Sequence, residues 1–254
     1  MVSRRIIIGY DSSPRSEDGL VLGRRLAEAL DATPLAATVF RYPDHSMRDR
    51  TRAPELDPVA ATPAPAGLAP AGVEHVTLGY DQSPARALLR LAARERALAI
   101  VVGSAHLGTF GRLVKGSVAE SVLAAASCAV AVAPDHYAEG RERGLERIGV
   151  VVDGSDESRV ARAAADALAR KLSASLTEVT IAEGANLASV LVAGVRELEL
   201  LILGSRSHRA ARRLGSPPVS VQLMGRTRCP TLVLPSAAGE DPLGLRPVAA
   251  DRVA

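Results

Sequence analysis

The chain has 254 residues, 47% of them hydrophobic but only 2% aromatic, and its 31 Lys+Arg nearly balance 28 Asp+Glu for a net charge of +3. That length holds two ordinary domains or one large one. Cores built of Val, Leu, Ile and Ala suit buried parallel strands under helices better than sandwiches or barrels. The small charge excess and scarce aromatics argue against a nucleic-acid partner, despite basic clusters at Arg48, Arg50, Arg52 and at Arg206, Arg209, Arg212, Arg213.

In chain order, the apolar run Ile6-Ile7-Ile8-Gly9 is far too short for a signal peptide. It predicts a strand over 5–10 ending at Asp11, then a helix over 15–30. A strand is expected over 35–40. From Arg41 to Gly72 the chain is rich in Pro and Ala without periodicity, which reads as a disordered insertion. Strands at 73–79, 98–102 and 129–133 follow, with helices at 84–97 and 116–126 between them. Strands alternating with helices imply right-handed βαβ units and a parallel sheet, whose ligands bind at the carboxyl ends of strands.

The later chain repeats the earlier. Ile6 to Ser13 has its counterpart in Ile148 to Ser155, and Leu22, Leu26, Leu30 match Ala164, Leu168, Leu172. Aligning Gly103 with Gly204 without a gap also matches Ser104, Arg112, Leu113, Val118, Cys128, Val132 and Pro134 with Ser205, Arg213, Leu214, Val219, Cys229, Val233 and Pro235. Eight identities under one constant offset make chance a poor explanation. The expected architecture is therefore α/β, with two tandem Rossmann-like domains at 1–140 and 145–236 and a flexible tail at 237–254. The second copy lacks the Pro-rich stretch. It runs from Leu176 to Ile181 straight into its next helix, so one strand and its connection are expected to be lost, leaving about four.

No Cys/His pair has metal-site spacing, and the equivalence of Cys128 and Cys229 points to a shared packing position. No apolar run approaches the roughly 18 residues of a membrane span. A cytoplasmic protein is the expectation. The five histidines form no cluster by spacing, and neither a nucleophile elbow nor a Lys-containing phosphate loop occurs. No residue presents itself as a catalytic base.

Gly103-Ser104-Ala105-His106, followed after nine residues by Gly116-Ser117-Val118, carries the chemistry. A glycine at a strand end lets a ribose or phosphate approach the backbone. Gly116-Ser117-Val118 opens a helix whose N–H groups and dipole favour an anion. Asp11 can accept from an adenine amino group or a ribose hydroxyl. Each feature also has an ordinary reading: a turn glycine, a Ser near a helix N-cap, and Asp11 as N-cap of the first helix. The combination and the tandem organisation resemble the universal stress protein family. Its nucleotide-binding members show Gly-x-x-Gly, nine residues, then Gly-Ser/Thr, with an Asp ending the first strand. His106 departs from that pattern by standing at the second Gly, where its ring can block a phosphate or donate to one.

The resemblance implies a nucleotide-binding regulatory protein of the stress response rather than an enzyme, binding ATP or AMP, with Mg²⁺ accompanying ATP. It implies contact of the backbone at Val39 with adenine, an unidentified protein partner, and an intramolecular pseudo-dimer in which 129–133 and 230–234 pair edge to edge; a homodimer is a further possibility. A slow ATPase and a scaffold that binds no nucleotide are the alternatives. In the second copy Pro217 and Pro218 replace Gly116 and Ser117, removing two N–H donors, and Ser207 replaces His106. With the strand on the adenine side also missing, that copy is expected to be empty. The arginines of 206–213 read as a solvated loop, or as contacts to an acidic partner or to the bound phosphates.

Overall fold

The computed structural model describes residues 4–41, 62–63, 70–80, 83–104, 117–140, 144–180, 195, 197–205, 229–235 and 241–245. The β-branched runs become strands, starting with β1 (Arg5–Gly9), β2 (Thr33–Arg41), β3 (Thr62–Pro63), β4 (Glu74–Tyr80), β5 (Ala99–Gly103) and β6 (Ala129–Ala133). Between them lie α1 (Pro14–Ala29), α2 (Pro84–Glu95) and α3 (Val118–Ala125). The later chain supplies β7 (Arg147–Val152), α4 (Asp156–Leu172), β8 (Ser175–Thr180), β9 (Leu200–Ser205) and β10 (Thr231–Pro235). All ten described strands form one sheet in the order β3-β4-β2-β1-β5-β6-β10-β9-β7-β8. It is parallel except where β3 meets β4 and β6 meets β10.

Both faces of the sheet are covered, so its strands bury side chains in both directions. Ile6 and Ile8 of β1 pack with Leu22 and Leu26 of α1, and the same layer continues through Ile148, Val150 and Leu168. Ile7 points to the other layer, with Leu88 and Leu91 of α2, Ile100, Val122 of α3, Leu201 and Val233. Each apolar layer is thus continuous from the earlier half of the sheet to the later half.

The helix starts follow from side-chain capping. Ser13, Ser83, Ser117 and Ser155 each stand at the N-cap with extended backbone, and their hydroxyl oxygens accept from Ser16, Arg86, Glu120 and Ser158 N–H respectively. Proline occupies the first turn of α1 and α2, where its missing N–H costs nothing. Arg96 and Ser173 end α2 and α4 in the left-handed region.

Local geometry recurs between the halves. A Cβ on Gly103 would lie 2.1 Å from the Arg15 carbonyl oxygen, and a Cβ on Gly204 would lie 2.3 Å from that of Glu157. Thr33 N–H donates to Arg4 O, and Ser175 N–H to Glu146 O, both at 2.7 Å. Ile6 pairs with Pro34 as Ile148 pairs with Leu176. Hence β8 takes the place of β2, and among the described strands β3 and β4 have no counterpart. This corrects the expectation that the adenine-side strand is the missing one.

The strands expected to meet edge to edge do so, with Thr231 opposite Val132 and Val233 opposite Val130. Each covers the other's open edge. Two expectations of disorder are amended. Thr62–Pro63, inside the Pro-rich insertion, pairs antiparallel with β4, a position at the sheet edge where proline is tolerated. In the expected tail, 241–245 forms a turn that buries Leu243 completely, and Arg4 donates to the Leu243 carbonyl at 2.9 Å. Apolar burial and one long-range hydrogen bond hold that turn, which local composition does not register.

Candidate functional site

After β1 the chain moves outward through β2 to β4, then returns to the other side of β1 as β5. That reversal is a topological switch point, where the connections leave β1 and β5 in opposite directions and open a crevice. A cleft of about 410 Å³ occupies it, within the range of small-ligand pockets. Asp11, Val39, Gly103, Ser117 and Val118 all line it. Five of the seven residues anticipated from the sequence therefore converge on one cavity. His106 and Gly116 lie outside the described residues, as do Ser207, Pro217, Pro218 and the arginines of 206–213.

The cleft has an apolar wall and a polar end. Ala37, Val39, Leu88 and Val102 come from β2, α2 and β5 and provide the wall. The polar residues are Asp11, Ser13, Arg15, Ser16, Ser104 and Ser117. Sequence reasoning missed Arg15, Ser13 and Ser104. Their signal was position: Ser13 and Arg15 open α1 directly after a strand's carboxyl end, and Ser104 follows Gly103.

The backbone that presents Asp11 is held from both sides. Tyr10 N–H donates to Ala37 O at 3.0 Å, and its carbonyl accepts from the Thr38 hydroxyl at 2.7 Å. The single Thr38 proton is then committed, so His75 Nε2 is the donor in its 2.7 Å contact with Thr38 Oγ1. The His75 ring meets Tyr10 edge-on, and its buried Nδ1 has no hydrogen-bond partner. Burial holds its pKa below the ordinary histidine value. The Tyr10 hydroxyl donates to Glu17 at 2.5 Å.

Asp11 is not the helix cap; Ser13 is. The Asp11 carboxylate instead accepts from Ser13 N–H at 3.0 Å in an Asx turn, with Ser12 at φ +62°. Burial pushes the Asp11 carboxyl up, but hydrogen bonds from the Ser13 hydroxyl and N–H, and from Ser16, outweigh it and leave the pKa lowered. An ionised, exposed acceptor thus stands at the end of β1. The same turn occurs at Asp153, which accepts from Ser155 N–H at 3.0 Å, with Gly154 at φ +78°.

Ser117 caps α3, its Oγ accepting from Glu120 N–H at 3.1 Å. A hydroxyl that accepts still has its proton to donate. Val118 and Ala119 also line the cleft, at first-turn positions whose N–H groups helix geometry leaves without an intrahelical acceptor. The helix begins at Val118 rather than at 116. Gly103 is required for a reason other than ligand approach: the first turn of α1 lies directly over it, leaving no room for a Cβ.

The cysteines are packing residues. Burial pushes the Cys128 thiol to about 11 and the Cys229 thiol to about 12, well away from reactive thiolates. Among the described residues no group of His, Cys, Asp and Glu is arranged to hold a metal ion, and no helix is long and apolar enough to cross a membrane.

A mostly parallel α/β sheet with a cleft at its switch point defines a protein of Rossmann-like class. Residues 3–134 match the model of the Universal stress protein family, and the chain belongs to that family. Its fold is similar to that of a universal stress protein from Archaeoglobus fulgidus DSM 4304, at 18% identity and a TM-score of 0.60, over 90% of this chain and 95% of that one. It is also similar to a functionally unknown protein from Pseudomonas aeruginosa PAO1, at 14% identity and a TM-score of 0.59, over 95% of both chains. No protein of curated function matches the chain in sequence.

Proposed function

We propose that the chain is a tandem universal stress protein whose earlier half binds an adenine nucleotide, ATP or AMP, as a regulatory ligand in the cytoplasm. The convergence of Asp11, Val39, Gly103, Ser117 and Val118 on one cleft carries this reading. The apolar wall suits a purine, Asp11 suits an amino or hydroxyl donor, and the start of α3 suits phosphate. Mg²⁺ would accompany ATP through the phosphates, a cation that retains several waters and needs few protein ligands. The recurrence of the Gly103–Arg15 contact at Gly204–Glu157, and of the Asp11 turn at Asp153, supports the tandem organisation and an intramolecular pseudo-dimer joined at β6 and β10.

Among the described cleft residues the titratable groups are Tyr10, Asp11 and Arg15, with no histidine or cysteine. Asp11 is held ionised by its own turn rather than poised to exchange a proton. In this reading, occupancy shifts conformation or partner choice. Calorimetric titration of ATP, ADP and AMP into the wild type and Gly116→Pro tests the reading. Binding by the wild type that is lost in the variant supports it, equal binding by both moves the site elsewhere, and binding by neither leaves an interaction scaffold.

A further inference from the structure

We propose that Arg15 makes the cleft selective for an anionic nucleotide over the neutral nucleoside, an inference that rests on the nucleotide reading above. Arg15 is the one cation among the described residues that line the cleft. Its place is set by backbone contact, because its carbonyl group packs against Gly103 at the end of β5. Its guanidinium is oriented by Asp135, whose Oδ1 accepts from Arg15 Nε at 3.1 Å. The buried Ser104 hydroxyl donates to the same oxygen and fixes the carboxylate in turn.

The ion pair with Asp135 does not cancel this role. The two side chains are 34% and 39% exposed, so water screens the pair and it is worth little by itself. A nucleotide phosphate, with more charge and more acceptor oxygens than a carboxylate, draws the guanidinium without a large opposing cost.

The later half makes the opposite choice. Glu157 stands in α4 where Arg15 stands in α1, and its carbonyl group meets Gly204 as that of Arg15 meets Gly103. The residue following Pro235 is Ser236, where Pro134 is followed by Asp135. The equivalent positions therefore carry a carboxylate in place of the cation and a serine in place of the acid.

The test is calorimetric titration of ATP and adenosine into the full chain as wild type, Arg15→Gln, Arg15→Glu and Arg15→Lys. Loss of one charge-assisted contact predicts about tenfold weaker ATP binding in Arg15→Gln, and more in Arg15→Glu. Adenosine affinity should move by less than about twofold, and Arg15→Lys, which keeps the charge, should fall between wild type and Arg15→Gln for ATP. Raising salt should weaken ATP binding less in Arg15→Gln than in wild type. ATP bound equally by wild type and Arg15→Gln, or ATP and adenosine weakened to the same extent, overturns the role of Arg15 while leaving the nucleotide site standing. A wild type that binds neither ligand overturns both.

Discussion

Gly103→Ala tests how the first turn of α1 is held in place. The added carbon would lie 2.1 Å from Arg15 O and 2.7 Å from Arg15 C, both backbone atoms that no rotamer change can move aside. Ordinary contact needs roughly 3.5 Å, so the helix start must retreat by more than about 1 Å. Gly19, whose own Cβ would come within 3.1 Å of Gly103 N, leaves no slack one turn further on. Overpacking of this kind costs about 3 kcal/mol, which for a chain of this size lowers Tm by roughly 6–12 °C. Thermal unfolding followed by circular dichroism measures it. Nucleotide titration supplies the second readout, because Ser13, Arg15 and Ser16 move with the helix start. Gly204→Ala makes the same clash with Glu157 O at 2.3 Å and should destabilise comparably while leaving ATP affinity unchanged. A Gly103→Ala protein melting within about 2 °C of wild type would refute the packing account.

Further expectations follow from other parts of the structure. Ser13→Ala removes the α1 cap and should cost about 1 kcal/mol in urea unfolding, as should Ser155→Ala at α4; only the former should weaken nucleotide binding. Leu26→Ala and Leu91→Ala, fully buried on opposite faces of the sheet, should each cost about 2–5 kcal/mol by the same measurement. His75 has a folded pKa below its unfolded value, so the unfolded chain binds more protons as pH falls through the unfolded histidine value near 6.5, and stability falls with it. His136, raised by its hydrogen bond to Glu139, works in the other direction. The comparison is therefore between wild type and His75→Gln unfolded from pH 7 to 5, where the variant should lose less stability; parallel curves would remove His75 from the account. Cys229 should resist alkylation in the native protein at pH 8 and react only on unfolding, read by mass spectrometry.

Much of the fold was legible in the sequence because it depends on local periodicity. The runs Ile6-Ile7-Ile8 and Ile100-Val101-Val102 are apolar on both faces, which a buried parallel strand requires. The serine before α3 announced a helix start through capping chemistry. The repeat was legible because the same offsets align strand, turn and helix. Asp11, Gly103, Ser117 and Val118 were found because strand ends and helix starts gather at one edge of such a sheet, and Val39 through the family resemblance.

What the sequence by itself determined was therefore the set of elements, their parallel arrangement and the edge on which a ligand site forms. Only the tertiary structure decided why particular residues are needed. Gly103 reads as a glycine for ligand approach, yet it is required by the carbonyl of Arg15 on a helix that begins some ninety residues earlier in the chain. Asp11 reads as a cap until Ser13 is seen to occupy that place. Arg15 and Asp135 meet only because β5 and β6 end side by side under α1. The place of β8 beside β7, and the burial of Leu243 beyond the last strand, follow from long-range pairing and packing. Such contacts depend on which surfaces meet in space, and local sequence pattern carries no record of that.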